Sequence, residues 1–173
     1  MNLTEYLESE GKEKELAVTY GGTLPEIAGR TIEITKPLAL TLKITGISRK
    51  EILMEGDSVL HCRVSCDRCL SDVDLEVPFT ISERIREQDI LEPDEDFELT
   101  GCLEGYELST DRLLEEAIMT AFPAKVLCRE DCKGICKVCG QNLNEGDCGC
   151  DDFVPDPRMA AIGDLFAAVN KDK

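Results

Sequence analysis

Histidine occurs once in these 173 residues, at position 61. Catalytic zinc keeps an open coordination position and draws on His or carboxylate ligands, so a chain this poor in histidine is not expected to carry such a site. Nor can His61 activate its neighbour Cys62, because adjacent residues of a strand point to opposite faces. Long apolar runs are also missing: none approaches the ~18 residues of a membrane span. The opening MNLTEYLESEGKEKEL is acidic where a secretion signal carries a basic and then an apolar stretch. No phosphate-cradling glycine motif occurs, no pair of carboxylates stands out from the acidic background, and no repeat of fixed period is present. The expectation is a cytoplasmic protein that is not an enzyme, with no membrane contact and no small-molecule substrate.

Basic residues are scarce. Lys and Arg number 19 against 36 Asp and Glu, a formal net charge of −17. Attraction to a phosphate backbone needs clustered Lys and Arg, which this chain as a whole lacks. A nucleic-acid role must then be local or pass through a protein partner, and a basic partner suits the surface. Leu, Ile, Val and Phe make up about a quarter of the chain, above the roughly one fifth below which acidic chains stay disordered. A core is therefore expected. The length suits one domain carrying a small appended module.

Period-two alternation dominates the first half. Ile32 and Ile34, then Leu38, Leu40, Leu42 and Ile44 up to Gly46, read as strands. A short strand at Glu51–Met54 is expected to end at the turn-like Gly56-Asp57-Ser58. Leu60, Cys62 and Val64 share the next face. Val73, Leu75, Val77, Phe79, Ile81 and Ile85 follow at odd positions, with Pro78 pointing to an edge or a bulge. Between these last two strands stands Cys66-Asp67-Arg68-Cys69-Leu70-Ser71, a CxxC at a hairpin tip. A short opening helix is expected, with Asn2 capping, Glu5 reaching back to it and Gly11 as its stop. The acidic EQDILEPDEDFE at 87–98 reads as a solvated loop, followed by a short strand near Phe97 and Leu99. Ser109 or Thr110 then caps a helix with Leu113, Leu114, Ala117, Ile118 and Ala121 on its apolar face, ended by Pro123. From Asp156-Pro157 a last helix is expected, with Ile162, Leu165, Phe166 and Val169 as its stripe.

The ten cysteines decide the chemistry. In a cytosolic chain, short spacings indicate metal ligands rather than disulfides. Cys136-Lys-Val-Cys139-Gly140 has the form of a metal knuckle, and Cys148-Gly-Cys150 lies eight residues on. The expected first set is Cys136, Cys139, Cys148 and Cys150 around a structural zinc. Because CxC is a tighter bite than CxxC, Cys128 or Cys132 can also replace one member. The second set joins the hairpin pair Cys66 and Cys69 to Cys128 and Cys132, clamping the cysteine-rich segment onto the sheet. One or two ions are thus expected, with iron as the alternative to zinc. Cys62 and Cys102 read as small core residues. Within 128–150, Arg129, Lys133 and Lys137 nearly balance four acids and are the candidate contacts for RNA or a partner.

Several of these motifs together resemble the bacterial YceD proteins, also called large ribosomal RNA subunit accumulation proteins. The resemblance rests on Cys66-Asp67-Arg68-Cys69-Leu70, on Phe122-Pro123 and on the run from Leu127-Cys128 through Cys139-Gly140-Gln141-Asn142-Leu143-Asn144. Cys148, Cys150 and Asp156-Pro157-Arg158 complete it. It implies a role in making or stabilising 23S rRNA, hence in large-subunit assembly, without catalytic activity.

The reading is an α+β protein. Residues 1–124 form a β-rich domain whose antiparallel sheet is open or curled toward a barrel, with one helix and the CxxC at a hairpin tip. Residues 125–173 form a cysteine-rich zinc-binding module ending in a short helix. The function expected is that of an accessory factor for 23S rRNA accumulation and large-subunit biogenesis. Its partners are expected among basic ribosome-assembly or rRNA-processing proteins, with direct rRNA contact secondary. The alternative is a thiol-based redox or metal-responsive regulator, which predicts reversible oxidation at Cys66–Cys69 or Cys136–Cys139.

Overall fold

The computed structural model describes residues 1–92 and 101–150. Their elements run in the order α1 (Thr4–Leu7), β1 (Glu13–Thr19), β2 (Glu33–Ile34), β3 (Ala39–Ser48), β4 (Glu51–Ser65), β5 (Asp72–Arg86), α2 (Glu87–Leu91), β6 (Leu103–Glu104), β7 (Glu107–Leu108) and α3 (Thr110–Ala121). The class is α+β, with every strand pairing antiparallel. The chain forms two compact units, one of Met1–Asp67 with Ser71–Cys128, the other of Arg68–Leu70 with Arg129–Lys173. The helix expected after Asp156 and the strand expected near Phe97 and Leu99 lie outside the described residues.

In the first unit β4 is the organising strand. It pairs along all its length with β5, with β3 through Glu51–Glu55, and with β2 at Cys62 and Arg63. Alternation sorts the faces as a one-sided sheet requires: Leu40, Leu42, Ile44, Ile52, Met54, Leu60, Cys62, Val64, Val77, Phe79, Ile81 and Ile85 are buried. Leu113, Leu114 and Ile118 of α3 join the same core, as do Leu3, Tyr6 and Leu7 at the start of the chain. Each fully buried Leu or Ile contributes about 1.5–3 kcal/mol.

The sheet is not a closed barrel. Among the described residues, β1 ladders only with β3 and β5 only with β4, so no ladder joins these two outer strands. Helix α3 explains the open form: Leu113 and Leu114 line one small apolar space with Val18, Leu40, Leu42 and Ile81, covering the face that a barrel would bury against itself. Pro78, which has no N–H to give, is accommodated on the outer strand β5.

Three local expectations need correction. Gly56-Asp57-Ser58 makes no turn, and β4 runs through it for 15 residues. A Cβ on Gly56 would stand 2.7 Å from Leu40 Cδ1 and 3.1 Å from the Thr41 carbonyl, so this glycine answers a close approach of β3. Residues 87–91 of the acidic stretch form α2, because Asp89 accepts the Arg86 N–H at 2.9 Å and caps the turn. Glu5 does not complete a capping box: it pairs with Lys12, while Asn2 Oδ1 alone accepts the Thr4 N–H at 3.0 Å. Strand β1, absent from the expectations, has only Val18 buried and so no alternation to read.

Among the described residues, no helix is long and apolar enough to cross a membrane.

Candidate metal centre

The first set of cysteines lies in the second unit, on short loops. The knuckle begins where Ile135 bridges Asn142. The Cys136 N–H then donates to the Gln141 carbonyl at 2.8 Å, and the Gly140 N–H returns to the Cys136 carbonyl at 2.9 Å. That tight return needs a left-handed residue, and Gly140 supplies it at φ +75°. The same economy recurs at Gly149, at φ +67° between Cys148 and Cys150. As a result the sulfurs of Cys136, Cys139, Cys148 and Cys150 all lie within 4.8 Å of one another.

The electrostatics of this set fit a cation. The Val138 N–H donates to Cys136 Sγ at 3.4 Å. Amide hydrogen bonds from Cys139 and Val138, with the Cys148 thiol behind them, pull the Cys136 thiol down to about 6. Cys150 moves the other way: hydrogen bonds with Cys139 and Cys148 push it up to about 12. Four sulfurs this close cannot all ionise without a compensating charge. A dication bound by four thiolates removes that conflict, and a tetrahedral Zn–S geometry separates its sulfurs by roughly 3.8 Å. Donor type, number and spacing therefore fit zinc.

Of the second set, Cys66 and Cys128 belong to the first unit, and Cys69 and Cys132 to the second. Cys66 and Cys69 stand in the turn that follows β4, closed by the Cys66 N–H donating to the Ser71 carbonyl at 2.8 Å. Leu70 adopts φ +61° in this turn. Cys66 Sγ accepts the Cys128 N–H at 3.3 Å. In the second unit, Arg68 Nη1 donates to the Cys132 carbonyl at 2.7 Å. Cys62 and Cys102 are buried at 1% exposure and belong to neither set; burial pushes both thiols up, Cys102 to about 11.

Asn144, quoted above only as the end of the family-like run, has a contact with a cysteine that the sequence did not suggest. Its Nδ2 donates to Cys132 Sγ at 3.3 Å, while its Oδ1 accepts from Arg129 Nη2 at 2.7 Å and from the Lys133 N–H at 2.8 Å. Its signals in the sequence were its place in that run and its proximity to the knuckle. Of the three basic residues singled out for RNA or a partner, Arg129 is engaged here and also faces Asp131 at 3.5 Å. Lys133 and Lys137 line a groove with Ile135, Leu143 and Cys148.

The fold and its cysteine-lined loops define an α+β protein with a candidate four-cysteine metal centre in its second unit. Residues 54–166 match the family model described as large ribosomal RNA subunit accumulation protein YceD. That span is about two thirds of the chain, and the chain belongs to the YceD family. It contains all ten cysteines. Searches of curated proteins and of solved structures return no significant match.

Proposed function

We propose that this chain is a non-enzymatic accessory factor for the accumulation of 23S rRNA and so for large-subunit biogenesis. The observation that carries the reading is the family match over 54–166. Structural zinc, held by Cys136, Cys139, Cys148 and Cys150 and by the set containing Cys66, cross-links loops too short and glycine-rich to fold on an apolar core. When bound, the ion supplies folding energy and a fixed loop geometry. The chain's own contribution is its charge. With a formal net charge of −17 and no charged side chain buried among the described residues, the surface attracts a basic ribosomal or rRNA-processing protein and repels bare RNA. Lys133 and Lys137 are the local exception and the place for a secondary RNA contact.

Tagged protein recovered from nuclease-treated cells tests the protein-bridged form of this reading. Recovery of large-subunit proteins or assembly factors is expected, and their loss on nuclease treatment contradicts it.

The exposure of Cys139 favours a second reading, a thiol-based or metal-responsive regulator. It requires reversible oxidation of the metal-loaded protein by mild oxidant, where a structural zinc set resists.

A further inference from the structure

The hairpin tip carrying Cys66 is fixed by a charged pair that begins 37 residues earlier. Ile27 and Arg30 exchange backbone hydrogen bonds at 3.1 and 3.0 Å across Ala28 and Gly29, both at positive φ (52° and 72°). This two-residue turn is anchored by buried Ile27 and delivers the Arg30 guanidinium to Asp67. Nε meets Oδ1 at 2.7 Å and Nη2 meets Oδ2 at 2.8 Å, a two-pronged fork, with Nη2 reaching also the Ala124 carbonyl at 3.1 Å. Asp67 in turn grips the 124–128 segment by two bonds. Its N–H donates to the Val126 carbonyl at 2.9 Å and its Oδ2 accepts the Val126 N–H at 2.7 Å. Two residues on, the Cys128 N–H donates to Cys66 Sγ at 3.3 Å.

The cost of this arrangement is visible. The Arg30 side chain is 13% exposed, and its Nη1 is buried with no hydrogen-bond partner among the described residues. A buried donor left unsatisfied costs stability, so the fork is a poor source of it. Its planar fork does fix position and orientation together, which an ammonium cannot.

We infer that Arg30 and Asp67 are positioning residues for the ligand pair Cys66 and Cys128: the fork and the Asp67–Val126 link hold these two cysteines together and aim the Cys128 amide at the Cys66 sulfur. The inference rests on the zinc reading proposed above. Residues that orient ligands in this way change metal affinity by about 10–100-fold when altered.

The test uses the full chain carrying Cys136→Ser and Cys139→Ser, which leaves only the set containing Cys66. Cobalt(II) is titrated, thiolate-to-metal absorption is recorded, and zinc affinity is measured by competition with a chromophoric chelator. Arg30→Lys and Asp67→Asn are expected to weaken affinity by about 10-fold or more and to alter the cobalt spectrum. Arg63→Lys, whose partner Asp74 lies 2.9 Å away on the same hairpin, is the control and is expected to leave both unchanged. Unchanged affinity and spectrum in Arg30→Lys and Asp67→Asn overturn the positioning role while leaving the metal centre in place. An equal loss in the Arg63→Lys control, tracking thermal stability, also overturns it. Failure of the parent double variant to bind either metal overturns the zinc reading of this set, and the positioning role with it.

Discussion

Asn144 and Cys132 stand 12 residues apart in sequence, and the carboxamide of one donates to the sulfur of the other at 3.3 Å. The opposite end of the same carboxamide accepts from Arg129 and from the Lys133 amide, so its orientation is determined. A hydrogen bond to a thiolate stabilises the charged, metal-binding form. Asn144→Asp keeps the acceptor and removes the donor. It is expected to weaken zinc at the set containing Cys132 by about 10–100-fold while the thermal midpoint of the metal-free protein stays near that of the wild type. Chelator competition and a thermal melt check the two halves of this prediction.

Metal content is predicted at two zinc ions per chain. Native mass spectrometry of the wild type should show both, and each of Cys66→Ser/Cys69→Ser and Cys136→Ser/Cys139→Ser should retain one. Loss of both ions from either variant would contradict two separate centres.

Gly46 is predicted to tolerate no side chain. A Cβ there would lie 2.2 Å from the Ser9 carbonyl oxygen and 2.9 Å from that of Tyr6. Both are backbone atoms, and the strand is already pinned by Gly46 N–H to the Lys12 carbonyl at 2.8 Å. Gly46→Ala is expected to cost about 1–3 kcal/mol, lowering the thermal midpoint by roughly 3–10 °C. An unchanged midpoint would contradict the close approach.

Cys102 gives a pH dependence of definite sign. Burial, with Glu116 adding to it, raises its thiol from 9.0 to about 11 in the folded protein. A group whose folded pKa is raised contributes stability that is complete below the unfolded value and lost as pH climbs through the folded one. The protein is therefore expected to lose up to roughly 2–3 kcal/mol between pH 9 and 11 on this account. Cys102→Ala should remove that component, and denaturant midpoints measured across the range would reveal it.

How much of this was legible in the sequence follows from the range of each interaction. Alternation in β3 and β5, and the turn between Cys66 and Ser71, depend on neighbours close in the chain. So do the glycine-terminated loops that gather Cys136, Cys139, Cys148 and Cys150. Strand β1 was illegible because six of its seven residues are not fully buried, leaving only pairing with β3 to define it. Gly56-Asp57-Ser58 carries turn chemistry that loses to a 15-residue ladder with β5. Open sheet and barrel share one alternation pattern, and only the placement of α3 separates them. The Arg30–Asp67 fork depends on a contact 37 residues apart, which no spacing rule supplies.

The central claim is a role in accumulation of large-subunit rRNA, and the ratio of 23S to 16S rRNA in cells depleted of this protein tests it most directly. A selective fall in 23S, restored by the wild-type chain, is predicted. Restoration by the Cys136→Ser/Cys139→Ser variant as well would assign that zinc set a stapling role alone. An unchanged ratio on depletion would contradict the account.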